Sequence, residues 1–334
     1  MMAGKARLLS DTIENILTEN VDSTLKEQMN AFREILIHDV KPKGFADAYS
    51  QTIVYGLFAA RLHDPSSPTF SRREAAELIP KSNPFLRNLF SYLAGSEIDD
   101  RIKWIIDDLV KIFLTFDIED VLKDHGKSTK LEEPIIHFYE TFLSEYDPKL
   151  RKARGVWYTP EPIVNFIIRA VDDILKTEFD LADGLADTSK TKVKVNVQGK
   201  QVEQEVHKVQ ILDPATGTGS FLAEVIKHVH KNFKGEKQSW SSYVETDLLP
   251  RLIGFELLMP SYAMAHLNLD LLLSKTGYEP INNQRFKIYL TNSLEESSPD
   301  TGTLFSNWLS TEANEANYIK KNAPVMCVIG NPPY

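Results

Sequence analysis

The chain is nearly without cysteine. In 334 residues only Cys327 carries a thiol, which excludes an internal disulfide and argues against a thiolate metal site. Cys327 lies in the apolar run 325–329, where a small buried hydrophobe is its simplest role. Long hydrophobic runs are missing too: none reaches the length of a membrane span, and the N-terminus has no basic-then-apolar signal pattern. A cytoplasmic protein with no membrane partner is therefore expected. Positive charge is scarce. Lys and Arg number 38 against 47 Asp and Glu, leaving a formal net charge of −9. That is awkward for binding nucleic acid, because phosphate affinity comes from Lys and Arg. The best candidate for a local basic face is Lys149, Arg151, Lys152 and Arg154, although a solvated charged run is the commoner meaning of such a cluster. Little DNA affinity should reside in this chain alone.

What is present is ordinary for a globular protein, with 42% hydrophobic and 25% charged residues and a length that favours two domains. Residues 1–150 read as a helical connector or scaffold. Phe45 to Leu62 carries Ile53, Leu57, Ala60 and Leu62 at helical spacing. Ser71 and Glu74 have capping-box form, the segments 102–116 and 135–142 are apolar enough to be buried, and Gly126 is a plausible helix stop.

Residues 151–334 follow a different grammar. Thr159-Pro160-Glu161 predicts a helix start with Thr159 as N-cap and proline first in the helix, which continues through Val164, Ile168 and Val171. Alternating valines on either side of Gln198-Gly199-Lys200 predict a β-hairpin near 190–207. Apolar strands are then predicted over 209–212, 252–255, 286–290 and 325–329, with helices over 221–233 and 262–273. Strand-helix repetition with apolar strands implies a parallel α/β sheet of Rossmann-like form, whose ligands bind beyond the carboxyl ends of the strands.

Three motifs fall at those ends. The first is Asp213-Pro214-Ala215-Thr216-Gly217-Thr218-Gly219, between a strand and a helix. Its glycines allow a sharp turn and close approach of a ligand. Asp213 would repel a pyrophosphate but suits a ligand with an ammonium and a sulfonium, and the loop lacks the Gly-Lys-Ser/Thr ending of a P-loop. Both features favour S-adenosylmethionine. The second motif is Gly254-Phe255-Glu256-Leu257, where Glu256 at a strand tip is placed to accept from two ribose hydroxyls. The third is Asn331-Pro332-Pro333-Tyr334 after the fourth strand. The Asn331 side-chain oxygen and the Pro332 carbonyl could accept both hydrogens of an exocyclic amine. Tyr334 offers an aromatic face for a planar base, a contact worth roughly 1–3 kcal/mol. No histidine or metal is needed for direct methyl transfer, so His228, His230 and His266 receive no catalytic role.

The order Trp157-Tyr158-Thr159-Pro160, Asp213 to Phe221, Glu256, Asn331 to Tyr334 resembles the gamma-class adenine-N6 DNA methyltransferases. It is most similar to the methyltransferase part of type IIG and ISP restriction-modification enzymes and type I modification subunits. The likeness is strong after Gly155 and loose before it. It implies that Tyr158, Thr159 and Pro160 touch the methionine end of S-adenosylmethionine. It also implies that Asp213, Ala215, Gly217 and Gly219 surround the donor, that Glu256 holds its ribose, and that Asn331, Pro332 and Tyr334 receive a flipped adenine. The position that contacts the donor's adenine, often Asp in relatives, is matched by Asn292. Double-stranded DNA is the implied partner, with nuclease or helicase parts in the same polypeptide or complex. In the family, further strands and a target-recognition domain follow Asn-Pro-Pro-Tyr, so the chain is expected to be an incomplete front portion, inactive alone. Two other readings stay open: methylation of a protein glutamine or an RNA base, and a non-catalytic donor-binding or scaffold role.

Overall fold

Amphipathic sequences with well-placed caps set up the front of the molecule. In the computed structural model, which describes residues 1–19, 22–115, 134–147, 159–197, 200–233, 235–236, 239–282, 284–296 and 302–332, it is all helical. Helices α1 (Met2–Thr18), α2 (Thr24–Ile35), α3 (Pro42–His63), α4 (Arg72–Leu78), α5 (Pro84–Ala94) and α6 (Asp100–Thr115) are followed by α7 (Pro134–Tyr146). Ser23, Ser71 and Asn83 each accept a hydrogen bond from a backbone N–H in the first turn that follows. The capping reading of Ser71 thus holds, with Glu74 N–H donating to its hydroxyl at 3.2 Å. The other helices wrap α3, which is buried from Phe45 to Arg61. Ring contacts lock α7 onto it: Phe58 and Phe138 stack at 3.8 Å, and Tyr146 donates to buried Asp47 at 2.7 Å. Gly126 and the cluster 149–154 lie outside the described residues.

The second part opens with α8 (Glu161–Thr177) and an antiparallel hairpin of β1 (Lys190–Val197) and β2 (Lys200–His207). It continues with β3 (Ile211–Asp213), α9 (Ser220–Asn232), β4 (Leu252–Glu256), α10 (Met259–Lys275), β5 (Lys287–Leu290), α11 (Leu304–Asn322) and β6 (Cys327–Val328). The last four strands form one parallel sheet in the order β5-β4-β3-β6. The chain steps outward from β3 to β5, then returns to the other side of β3 for β6. The strand order therefore reverses between β3 and β6, where open α/β sheets place their ligands.

Three details differ from the sequence reading. Helix α8 starts at Glu161, with Pro160 in the cap position and no side-chain cap, so Thr159 is not its N-cap. The fourth strand shrinks to two residues, leaving Cys327 half-buried against the main core and Val328 64% exposed. Helix α11 was not foreseen. It covers the far face of the sheet, packing Ala316 and Ile319 on Ile253, Phe255 and Tyr289. Its inner side carries buried Ser306, Ser310, Glu312 and Asn317, which blur the apolar periodicity. Glu312 is tied down by Arg285 at 2.6 Å and by the Leu290 N–H.

Candidate functional site

The parallel strands all run the same way, so their carboxyl ends deliver four loops to one rim. Asp213 ends β3 with no exposed surface. Its Oδ1 accepts from the Ala215 N–H at 3.1 Å, while its Oδ2 is buried without a hydrogen-bond partner among the described residues. Burial, with some help from nearby Glu256, pushes the carboxyl pKa up to about 7.

The turn after Asp213 is held from within. Thr216 donates its hydroxyl to the Asp213 carbonyl and its N–H to the Phe255 carbonyl, and the Gly219 N–H closes back on the Thr216 carbonyl at 2.8 Å. Gly217 and Gly219 have φ of +56° and +82°, where a side chain is strained. A Cβ on Gly219 would also press on Ala265 of α10 at 3.4 Å.

Glu256, at the tip of β4, organises this turn as well as facing the rim. Its Oε2 accepts from the Gly217 N–H at 2.7 Å and its Oε1 from the Leu258 N–H at 2.8 Å. The Leu257 N–H is a third backbone donor to this carboxylate, so one of its roughly four acceptor sites remains. Burial raises this acid to about 7 as well.

After β5, Asn292 is engaged locally: its Oδ1 accepts from the Leu294 N–H at 3.1 Å and its carbonyl from Lys320 at 2.6 Å. Next to it, the Ser293 hydroxyl donates to the Pro214 carbonyl, joining this loop to the glycine turn.

After β6, Gly330 lies so close to Asp213 that a Cβ there would sit 2.6 Å from Oδ1. Asn331 and Pro332 follow, both exposed. Asn331 Nδ2 donates to the Thr159 hydroxyl at 3.1 Å, across 172 residues of sequence. That bond orients the amide and leaves Asn331 Oδ1 without a donor among the described residues. Pro160 is exposed beside Thr159. Tyr158, Pro333 and Tyr334 lie outside the described residues.

The structure thus gathers Asp213, Ala215, Gly217, Gly219 and Glu256 in one cluster, and Thr159 with Asn331 in another. Gly330 bridges the two. Asn292 sits on the adjoining loop. Ser293, Lys320 and Gly330 escaped the sequence reading; only Gly330 left a signal there, as a glycine directly ahead of Asn-Pro-Pro. The histidines have structural surroundings. His228 pairs with Asp172 at 3.0 Å, His230 packs on Trp240, and His266 is buried against Tyr262 and Phe286 with its pKa driven down to about 3.

These residues fit a cationic nucleoside donor. Asp213 Oδ2, without a partner among the described residues, can act on a positive charge from just beneath the rim, the glycines leave room at the turn, and Glu256 keeps one acceptor site for a hydroxyl. The Thr159–Asn331 bond should matter for orienting the Asn331 amide, beyond any contact that Thr159 makes with a donor. Thr159→Val keeps the shape but removes the acceptor, so the amide loses its fixed orientation. If the rim passes a group from such a donor to an amine, a drop of about tenfold in the transfer rate at saturating donor is the expected result in single-turnover kinetics.

The N-6 DNA Methylase family model matches residues 132–334, well over half of the chain. No curated protein sequence matches. Among solved structures, all of this chain aligns with a nuclease-deletion mutant of the type ISP restriction-modification enzyme LlaGI in complex with a DNA substrate mimic, at a TM-score of 0.60 and 19% identity. It aligns equally with the DrdV–DNA complex (0.62, 22%) and with the ATP-dependent type ISP restriction-modification enzyme LlaBIII bound to DNA (0.62, 20%). It spans 24%, 28% and 20% of those chains, so what they share with it is the fold of one portion. With the sheet, the rim and the family match in agreement, the chain belongs to the N-6 DNA methylase family.

Proposed function

We propose that this chain forms the donor-binding and amine-binding parts of an enzyme that transfers methyl from S-adenosylmethionine to N6 of adenine in DNA, within a restriction-modification system. One observation carries the reading. A buried carboxylate with one oxygen unpaired among the described residues and an oriented asparagine amide stand at the reversal point of one sheet, joined through Gly330. Such a rim can hold a cation and a planar amine side by side.

S-adenosylmethionine supplies an electrophilic methyl group when bound. Asp213 Oδ2 would offer it a counter-charge, Gly217 and Gly219 would let the backbone approach it, and the remaining lone pair of Glu256 would accept from its ribose. Asn331 Oδ1 and the Pro332 carbonyl accept the two N–H groups of adenine, which draws the nitrogen lone pair out of the ring. Extruding adenine from the duplex costs a few kcal/mol of unstacking, which contacts in the pocket offset. Positioning of this kind can lower a barrier by several kcal/mol without a strong base. The DNA-bound restriction-modification enzymes of the same fold support the choice of DNA over a protein amide, as do the helices that precede the sheet.

The test is product analysis. The whole protein, incubated with DNA and tritiated S-adenosylmethionine, should place label on N6 of adenine. Label on protein glutamine, on RNA alone, or on no acceptor contradicts the proposal.

A further inference from the structure

The loop after β5 does not stay at the tip of its own strand. Ser293 reaches the Pro214 carbonyl in the turn after β3, although β4 lies between the two strands. Two strand spacings separate β5 from β3, roughly 10 Å. The loop therefore arches across the tip of β4, where Glu256 sits, and the Thr291 N–H donates to the Glu256 carbonyl at 2.8 Å beneath it.

The other footing of the arch is Lys320, in the last turn of α11. Its ammonium has three donors and meets three oxygens of this loop: Thr291 Oγ1 at 3.2 Å, the Asn292 carbonyl at 2.6 Å and the Glu295 carbonyl at 2.8 Å. Its charged end also lies 5.3 Å from the Phe255 ring, one residue before Glu256. The neighbouring Lys321 turns instead to Glu296 at 3.1 Å, and both of those side chains are more than half exposed.

We propose that Lys320 is a positioning residue for the methyl-donor site, fixing the β5 loop as an arch over Glu256 so that the nucleoside half of the donor meets a preformed wall. This rests on the donor reading above. A fixed wall spares the donor the cost of ordering it, so loss of Lys320 should appear as weaker binding. The sign is diagnostic. Removing a nearby cation would, through charge alone, favour a positively charged ligand, whereas loss of the arch disfavours it.

The test is calorimetry on Lys320→Met with S-adenosylmethionine and with S-adenosylhomocysteine, which lacks the sulfonium charge. The Kd of both should rise about tenfold, with Lys321→Met unchanged as the control for surface charge. Ser293→Ala should weaken both about threefold, and the double variant should fall short of the product, because both side chains hold one loop. Unchanged affinity in Lys320→Met overturns the proposal, as does tighter binding of S-adenosylmethionine, or a lowered melting temperature with Kd intact. Should Lys320→Met fail to fold, Ser293→Ala decides alone, and an unchanged Kd there is equally fatal. Absence of binding by the unmodified protein defeats the donor reading together with this one; binding by it that Lys320→Met leaves intact defeats this one only.

Discussion

Asp213→Asn should give a protein that is more stable at pH 8 and far weaker in holding S-adenosylmethionine. Burial raises this carboxyl from 3.8 to about 7, so ionising it in the folded state costs up to roughly 4 kcal/mol relative to the unfolded chain. The sign follows from proton counts. Below pH 4 both states hold the proton and there is no penalty. Between about 4 and 7 the unfolded chain releases it while the folded state keeps it, so stability falls as pH rises. Above 7 the full penalty is present. Asparagine never ionises, keeps the acceptor for the Ala215 N–H, and must bury one extra N–H2 group. We therefore expect a gain of about 1–3 kcal/mol at pH 8, shrinking toward pH 5, by urea denaturation. Binding moves the other way. A cationic ligand favours the ionised carboxylates, so affinity of the unmodified protein should climb between pH 6 and 8, and the variant should lose at least tenfold in Kd and keep only the part of that climb due to Glu256, which titrates in the same range. A variant that binds as well as its parent would free Asp213 of this role.

Much of this was legible beforehand because the rim is built from strand ends, and short apolar strands followed by Gly, Asp or Asn-Pro leave a strong trace in sequence. Asp213, Gly217, Gly219 and Glu256 do gather, and Asn331 emerges beside them. What stayed hidden depends on partners far apart in the chain. Thr159 reads as a helix cap from its neighbours alone, yet its hydroxyl is taken by Asn331. Lys320 reads as one surface lysine in a charged helix end, and nothing in its vicinity reveals that three oxygens of the 291–295 loop converge on it. Helix α11 was missed because a buried Glu312, neutralised by Arg285, breaks the apolar pattern that marks a helix facing a core.

Asn331→Ala should abolish most methyl transfer while leaving the donor in place. The side chain is exposed and its one hydrogen bond among the described residues is to Thr159, so its loss should leave stability within about 0.5 kcal/mol. Among the described residues no hydrogen bond links it to Glu256 or to the glycine turn, so Kd for S-adenosylmethionine should stay within about twofold. In the proposed reaction, in contrast, the amine of adenine loses an acceptor that acts while charge develops on nitrogen. Removal of a single preorganised polar group of this type costs roughly 100-fold or more in kcat. Asn331→Asp retains an acceptor, and Thr159 can donate to it, so this variant should keep more activity than the alanine variant. Single-turnover rates with the whole protein settle the order. Equal rates for the parent and the alanine variant would remove Asn331 from the chemistry.

Helix α10 is walled in from Met259 to Leu269, with the sheet on one side and the front helices on the other. Tyr262 donates to Asn83, the residue that caps α5, and His63 of α3 lies 3.3 Å from Asp270. Such a helix has no solvent-facing row on which neutral substitutions can accumulate, so it must drift in step with both neighbours. A chimera that borrows its first hundred residues from a distant relative will therefore need that relative's version of 259–275 as well.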